Sequence, residues 1–160
     1  MIDDALSLAH NLVRGLGAPE VSPETLGSAL RELARWTTST IEVECRVELG
    51  RDLAVPDAHC ATQLLRIAQE GVTNALKHGQ PSSITITLQP SERRLVLQVI
   101  DDGTGLRSGA PNGNGMGLRI MRYRAASLGG TVQIESGLGG GTQVVCTVPL
   151  GARELSGAQP

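Results

Sequence analysis

Residues 70–78 have the sequence EGVTNALKH. They lie in the second half of a segment, 57–79, whose apolar residues have helical spacing. At about 100° per residue, the apolar side chains share one face of that helix, and Glu70, Asn74 and Lys77 line a ridge of the opposite face. A polar ridge is ordinarily a solvated surface. Asn is a poor mid-helix residue, however, and Lys77 is the only lysine beside 13 arginines. The ridge is therefore also a candidate for binding phosphate and a hard cation.

A second polar motif, DDGTG at 101–105, directly follows an apolar strand. Asp-Gly is a strong turn signal, so one interpretation is a plain turn after an edge strand. The other is a ligand site, in which the strand holds Asp101 as an acceptor for an amino group such as that of adenine.

Two glycine-rich segments follow. The segment GNGMGL at 113–118 opens a helix, where free backbone amides can cradle a phosphate, although a flexible loop fits equally. The segment GGGT at 139–142 precedes a strand and, by itself, indicates a hairpin turn. Neither a P-loop nor a Rossmann GxGxxG motif is present, so nucleotide binding would need another architecture.

Helical and alternating patterns follow one another along the chain. Helices are predicted over 2–15, 22–40 (with Ser22 as N-cap), 57–79 and 117–128, and strands over 41–49, 83–89, 94–100, 131–136 and 142–148. The pattern predicts an α+β fold: a two-layer sandwich with a mixed, mostly antiparallel sheet covered by about three helices and preceded by N-terminal helices.

Composition narrows the function classes. With two aromatic residues, a net charge of −2 and a pI near 5.9, the chain lacks the stacking platforms and basic surface that nucleic acid or an anionic membrane requires. The three cysteines are widely spaced and form no CxxC pair, which indicates buried small residues in a reducing compartment. We therefore expect a cytoplasmic domain that contacts neither nucleic acid nor membrane.

Taken in order, the four motifs resemble the N, G1, G2 and G3 boxes of the Bergerat-fold (GHKL) ATP-binding domain. That superfamily is shared by DNA gyrase, heat-shock chaperone ATPases, mismatch-repair ATPases and sensor histidine kinases. The sequence is most similar to the histidine kinases of the NarL-partner subgroup, through IMRYRA at 120–125 and LGG at 128–130. The resemblance covers about residues 58–150.

The resemblance implies ATP and Mg²⁺ as cofactors. Asn74 would coordinate Mg²⁺, with Glu70 as a second metal-binding or catalytic residue, the general base of the hydrolytic relatives. Asp101 would bind the adenine amino group, helped by Thr142. The remaining implied nucleotide-binding residues come from the N box, the G1 turn and the lid: Lys77, His78, Gly103, Gly105, Gly113, Gly115, Met116, Gly117 and Leu118. The lid, 103–116, is expected to be mobile without nucleotide.

The chain departs from the family pattern at two points. Gly71 replaces the usual Ala of the N box, at a cost of about 1 kcal/mol in helix propensity. The phospho-acceptor box is absent, because His10 is followed by Asn11 rather than an acid. The resemblance then implies that 1–20 is the end of a second dimerisation helix, 22–40 a linker helix, 41–150 the ATP-binding domain and 151–160 a tail.

The implied function is the catalytic domain of a two-component sensor histidine kinase, which transfers the ATP γ-phosphate to a histidine absent from this chain. Its partners would be the dimerisation and phospho-acceptor helices of a parent kinase, which could itself be membrane-anchored, and a downstream response regulator. The fragment alone is not expected to phosphorylate itself. The alternatives are an anti-sigma-factor-type serine kinase, another Bergerat-fold ATPase and a non-catalytic interaction module.

Overall fold

The structure is a computed structural model that describes residues 20–105, 115–137 and 139–151. The predicted helix over 2–15, the tail after residue 151, Gly113 and most of the expected lid lie outside these ranges. The described helices are α1 (Leu26–Ile41), α2 (Ala58–His78) and α3 (Met116–Ala126). The described strands are β1 (Glu44–Leu49), β2 (Ser83–Ser91), β3 (Arg94–Asp101), β4 (Thr131–Ser136) and β5 (Thr142–Pro149).

The strands of the described ranges form one five-stranded sheet in the order β1-β2-β3-β5-β4. Strand β1 runs parallel to β2, and every other neighbouring pair is antiparallel. The three described helices pack on one face of this sheet. The α+β sandwich with a mixed, mostly antiparallel sheet is therefore confirmed.

The core is aliphatic and lies between the sheet and the helices. Alternate residues of β3 (Leu95, Leu97 and Val99) are at most 2% exposed and point toward α2. Along α2, Leu64, Ala68 and other apolar residues of the predicted face are buried against them. Burial of one face of each element against the other holds the two layers together.

The predicted boundaries near α1 were wrong by a few residues. Ile41 ends α1 rather than opening a strand, because Glu42 adopts a left-handed conformation (φ 62°) that stops the helix, and β1 begins at Glu44. At the other end, regular helix begins at Leu26. Ser22 and Thr25 nevertheless exchange side-chain to backbone hydrogen bonds (3.0 and 3.3 Å), as a capping box does.

Helix α2 carries the N-box residues across the central strand, β3. It starts at Asp57, whose side chain accepts the N–H of Cys60 at 2.7 Å, and it ends at Gly79. No helix within the described ranges is both long enough and apolar enough to cross a membrane.

Candidate functional site

The polar ridge of α2 faces the beginning of α3. A Cβ added at Gly117 would lie 2.2 Å from Glu70 Oε1 and 3.4 Å from Asn74 Oδ1. Glu70 and Asn74 are accordingly half-buried instead of being fully solvated. Farther along the same two helices, Arg124 donates to Gln63 Oε1 at 2.9 Å. The structure thus places the N box and the end of the predicted lid side by side.

The two side-chain oxygens beside Gly117 suit a magnesium ion. Mg²⁺ prefers hard oxygen ligands and commonly takes only one or two from the protein, with phosphate oxygens and water completing its shell. In the ranges that the structure describes, no group of three or more His, Cys, Asp or Glu side chains is arranged to hold a metal alone. Glu70 and Asn74 therefore fit a cation that is shared with a bound phosphate, and do not form a closed protein cage.

Asp101 lies at the end of β3, and its side chain is held in one orientation. The residue is 7% exposed, and its Oδ1 accepts the N–H of Gly103 at 2.8 Å. Thr142 lies opposite it in the β3–β5 register, and its backbone also hydrogen-bonds the carboxyl group. Burial raises the pKa of Asp101, and these hydrogen bonds offset the shift only in part.

Asp102, the next residue, has a structural role. Its Oδ1 accepts the N–H groups of Ser82 and Ser83 at 2.8 and 2.9 Å, and the Ser83 hydroxyl donates to Oδ2 at 3.0 Å. These hydrogen bonds, with the Ser83 N–H as the largest contribution, lower the pKa of Asp102. Asp102 therefore fixes the start of β2 to the end of β3, and Asp101 is the acid that is left for a ligand.

Glycines bring three segments close to Asp101. A Cβ at Gly79 would lie 3.1 Å from Asp101 Oδ1, and one at Gly103 would lie 2.3 Å from the Gly79 carbonyl oxygen. Gly141 has a φ of 75°, and its Cβ would lie 1.9 Å from the Asp101 carbonyl oxygen. No other residue type fits at Gly103 or Gly141 without a shift of backbone. The end of α2, the G1 turn and the G3 hairpin therefore meet at this carboxylate.

The remaining predicted site residues occupy varied positions. Lys77 and His78 are exposed in the last turn of α2, and Met116 is 75% exposed at the start of α3. The side chain of Leu118 is 4% exposed and belongs to the core, so that only its backbone is open to a ligand. Gly105 packs against the Gly141 carbonyl, and a Cβ added at Gly105 would lie 3.0 Å from that oxygen. Gly115 is the N-cap residue of α3.

Gly79 is the residue of this site that the sequence did not reveal. The sequence pattern places it only as the last residue of the predicted helix 57–79. Its second role depends on the fold, because its carbonyl accepts the N–H of Thr104 at 2.8 Å and its missing side chain opens the space beside Asp101.

Comparison with known proteins agrees with this geometry. Residues 60–152 match the family described as histidine kinase-, DNA gyrase B- and HSP90-like ATPases. This match spans more than half of the chain, which therefore belongs to that family.

The chain is similar to a sensor protein, to a histidine kinase domain and to an ATP-binding domain. It is 41% identical over 90 residues to the nitrate/nitrite sensor protein NarX of Escherichia coli, an alignment that covers 56% of this chain and 15% of NarX. The histidine kinase domain of the blue-light activated kinase from Erythrobacter litoralis EL346 superposes with a TM-score of 0.63 at 26% identity, over 96% of this chain and 75% of that one. The ATP-binding domain of PrrB from Mycobacterium tuberculosis, at 21% identity, has the same fold (TM-score 0.59, 79% of this chain and 95% of that one). The chain is thus an ATP-binding catalytic domain of the sensor histidine kinase type.

Proposed function

We propose that this domain binds Mg-ATP between α2 and α3 and transfers the γ-phosphate to a histidine on the dimerisation helices of its parent kinase. The contact of Gly117 with Glu70 and Asn74 is the observation that supports this most directly. This contact supports the proposal because a helix N-terminus, which attracts phosphate, lies beside two side-chain oxygens of the kind that a hard cation prefers.

Each residue then has a chemical role. The carboxylate of Asp101 accepts the exocyclic amino group of adenine, while glycines at 79, 103 and 141 keep the approach open. Asn74 and Glu70 provide oxygen ligands for Mg²⁺, which when bound supplies positive charge to the phosphate oxygens. Lys77 adds a point charge, and the amides of Gly115 and Gly117, with those of the lid, orient the γ-phosphate. Since phosphoryl transfer depends mainly on positioning and charge neutralisation, this set suffices without a covalent intermediate.

Glu70 is assigned to the cation and not to proton abstraction. Its Oε1 lies at the Gly117 contact, beside the Asn74 amide oxygen, where a shared cation would need it. The acceptor histidine would come from the partner helices with its own neighbouring groups. We therefore expect Glu70 to affect Mg²⁺ dependence more than the pH profile of transfer.

We further propose that the partners are the dimerisation helices and a response regulator, and that the domain works in the cytoplasm. The chain spans 15% of the length of NarX, a sensor protein, so both partners would be met through the rest of a larger protein or in trans.

The direct test supplies the acceptor separately. Incubated with γ-³²P-ATP alone, the chain should remain unlabelled. Addition of the dimerisation domain of NarX, or of the parent kinase, should give a labelled acceptor whose phosphate is lost in acid and retained in base, as phosphohistidine is. The Asn74→Ala variant, which removes one of the two proposed oxygen ligands for Mg²⁺, is the control and should give no label.

Other labelling patterns would contradict the proposal. Acid-stable label on a partner serine would indicate a serine kinase instead, and label on His10 of the isolated chain would show that the acceptor is internal.

A further inference from the structure

A groove runs between α1 and the edge strand β1, on the opposite side of α2 from the nucleotide site. Its volume is about 760 Å³, within the range of ligand-binding clefts. It is lined by six residues of α1 and two of β1: Ser28, Arg31, Ala34, Arg35, Thr38, Ser39, Cys45 and Val47.

Two contacts fix how the helix lies along the strand. The hydroxyl of Thr38 accepts the N–H of Cys45 at 3.0 Å, and a Cβ at Gly27 would lie 2.9 Å from Leu49 Cδ1. Helix α1 therefore runs antiparallel to β1 along its whole length, and Arg31 and Arg35 lie beside the middle of the strand.

The outer edge of β1 carries unpaired backbone groups. The N–H group of Glu44 donates to the Ser82 carbonyl, just before β2, at 3.2 Å, and that of Gly50 donates to the Leu88 carbonyl of β2 at 2.8 Å. In this parallel ladder the backbone N–H and C=O groups of the even-numbered residues therefore point toward β2. The odd-numbered residues then point their N–H and C=O groups away from β2. Thr38 satisfies the N–H of Cys45, whereas those of Val47 and Leu49 have no partner in the described part of the chain. Such an edge is a template for another strand.

The charged side chains that line the groove are all basic, although the chain as a whole carries a net charge of −2. Its lining contains two arginines and no acid. Arg31 makes no hydrogen bond or ion pair within the described residues, and Arg35 pairs only with Glu32 at the exposed surface. Four residues of helix rise about 6 Å, and alternate residues of a strand are about 6.6 Å apart. Acidic side chains at alternate positions of an added strand would therefore match Arg31 and Arg35.

We propose that an extended, acidic segment of a partner protein adds to the outer edge of β1 as a further strand, with acidic side chains at alternate positions paired to Arg31 and Arg35. Backbone hydrogen bonds to Val47 and Leu49 supply binding, and the two arginines supply selectivity. A second copy of this chain fits less well, because the helix-facing side of its β1 would bring Cys45, Val47 and Leu49, which are not acids, against the arginines.

The probe is a fluorescein-labelled heptapeptide, Thr-Glu-Val-Glu-Val-Glu-Thr, titrated into the chain by fluorescence anisotropy. It should bind, while the same peptide with Lys for Glu should not. A version with N-methylated backbone amides should bind weakly, since it cannot pair with the edge. Bound peptide should also slow hydrogen exchange at the Val47 and Leu49 amides.

Two charge reversals form a matched pair. Arg31→Glu should weaken binding of the glutamate peptide at least about fivefold. Arg46→Glu makes the same change in net charge, but Arg46 lies on the other face of β1, where it donates to Glu44 at 2.9 Å, and binding should change less than about twofold.

Several results would overturn the proposal. The first is that the glutamate peptide does not bind, or that the lysine peptide binds equally well. The second is that Arg31→Glu and Arg46→Glu weaken binding of the glutamate peptide to the same extent. The third is that inorganic phosphate competes completely with the peptide, which would indicate a simple anion site. Protection of the Val47 amide through concentration-dependent dimerisation, seen by sedimentation without peptide, would assign the edge to a second copy instead.

Discussion

Asp101 and Asp102 are adjacent, yet their carboxyl groups have opposite pKa shifts. Asp101 is buried at the end of β3, and desolvation raises its pKa; Asp102 is exposed and accepts hydrogen bonds that lower its pKa. A buried carboxylate without a cation is costly unless something donates to it. This cost is consistent with a site kept ready for an amino group.

The raised pKa of Asp101 has a consequence for stability. Because the folded state favours the protonated form of Asp101, the contribution of this residue to folding stability is highest below the ordinary Asp pKa of about 3.9 and decreases as the pH rises through the folded-state pKa. In Asp101→Asn this dependence is removed. The free energy of unfolding of the wild type, minus that of the variant, should therefore decrease between about pH 3.5 and pH 7 in urea titrations. An increase over that range would contradict the burial-dominated shift.

Gly117 and Gly115 allow a paired test of the contact with the N box. A Cβ at Gly117 would collide with Glu70, whereas one at Gly115 would meet nothing within 4 Å. Gly117→Ala should weaken Mg-ATP binding at least about tenfold, and Gly115→Ala should leave it within about twofold. Binding of a fluorescent ATP analogue, with thermal melting to confirm that both variants fold, provides the measurement. Equal affinities of the two variants would exclude the Gly117 contact from the site.

Among the elements, α2 depends on a close contact with β3. Gly71 is buried, and its Cβ would lie 3.0 and 3.1 Å from Val99 side-chain atoms, which explains why this chain has glycine there. The glycine lowers helix propensity, but it lets α2 lie close over the strand that carries Asp101.

We expect Gly71→Ala to destabilise the fold by about 1 kcal/mol, since overpacking against Val99 outweighs the gain in helix propensity. Val99→Ala alone should also destabilise, because it leaves a cavity. In the double variant the added methyl group fills that space. The decrease in its free energy of unfolding should therefore be smaller than the sum of the decreases in the two single variants. Urea unfolding of the three variants measures this, and simple additivity would contradict a direct contact.

The elements were largely predictable because their signals are local. Alternation predicted β2 to β5, and helical spacing predicted α2, with boundaries within about two residues. The end of α1 was not predictable, because the left-handed conformation of Glu42 that stops the helix has no sequence signal of its own. The motifs of the site were visible but ambiguous one by one. The contact between Gly117 and Glu70 depends on how α3 packs on α2, which no local pattern specifies.

For the molecule as a whole, the fold separates two surfaces. The proposed nucleotide site lies between α2 and α3, and the groove beside β1 lies on the other side of α2. An acidic partner at β1 would then leave the ATP site open. The central proposal is that the chain holds ATP through Asp101, with the phosphates of the nucleotide beside Glu70 and Asn74.

The measurement that tests this claim most directly is isothermal titration calorimetry of Mg-ATP with the wild type and Asp101→Asn. The wild type should bind one nucleotide, with affinity lost when Mg²⁺ is chelated, and the variant should give no measurable heat of binding while remaining folded. A wild type that does not bind Mg-ATP, or a variant that binds it equally well, would contradict the account.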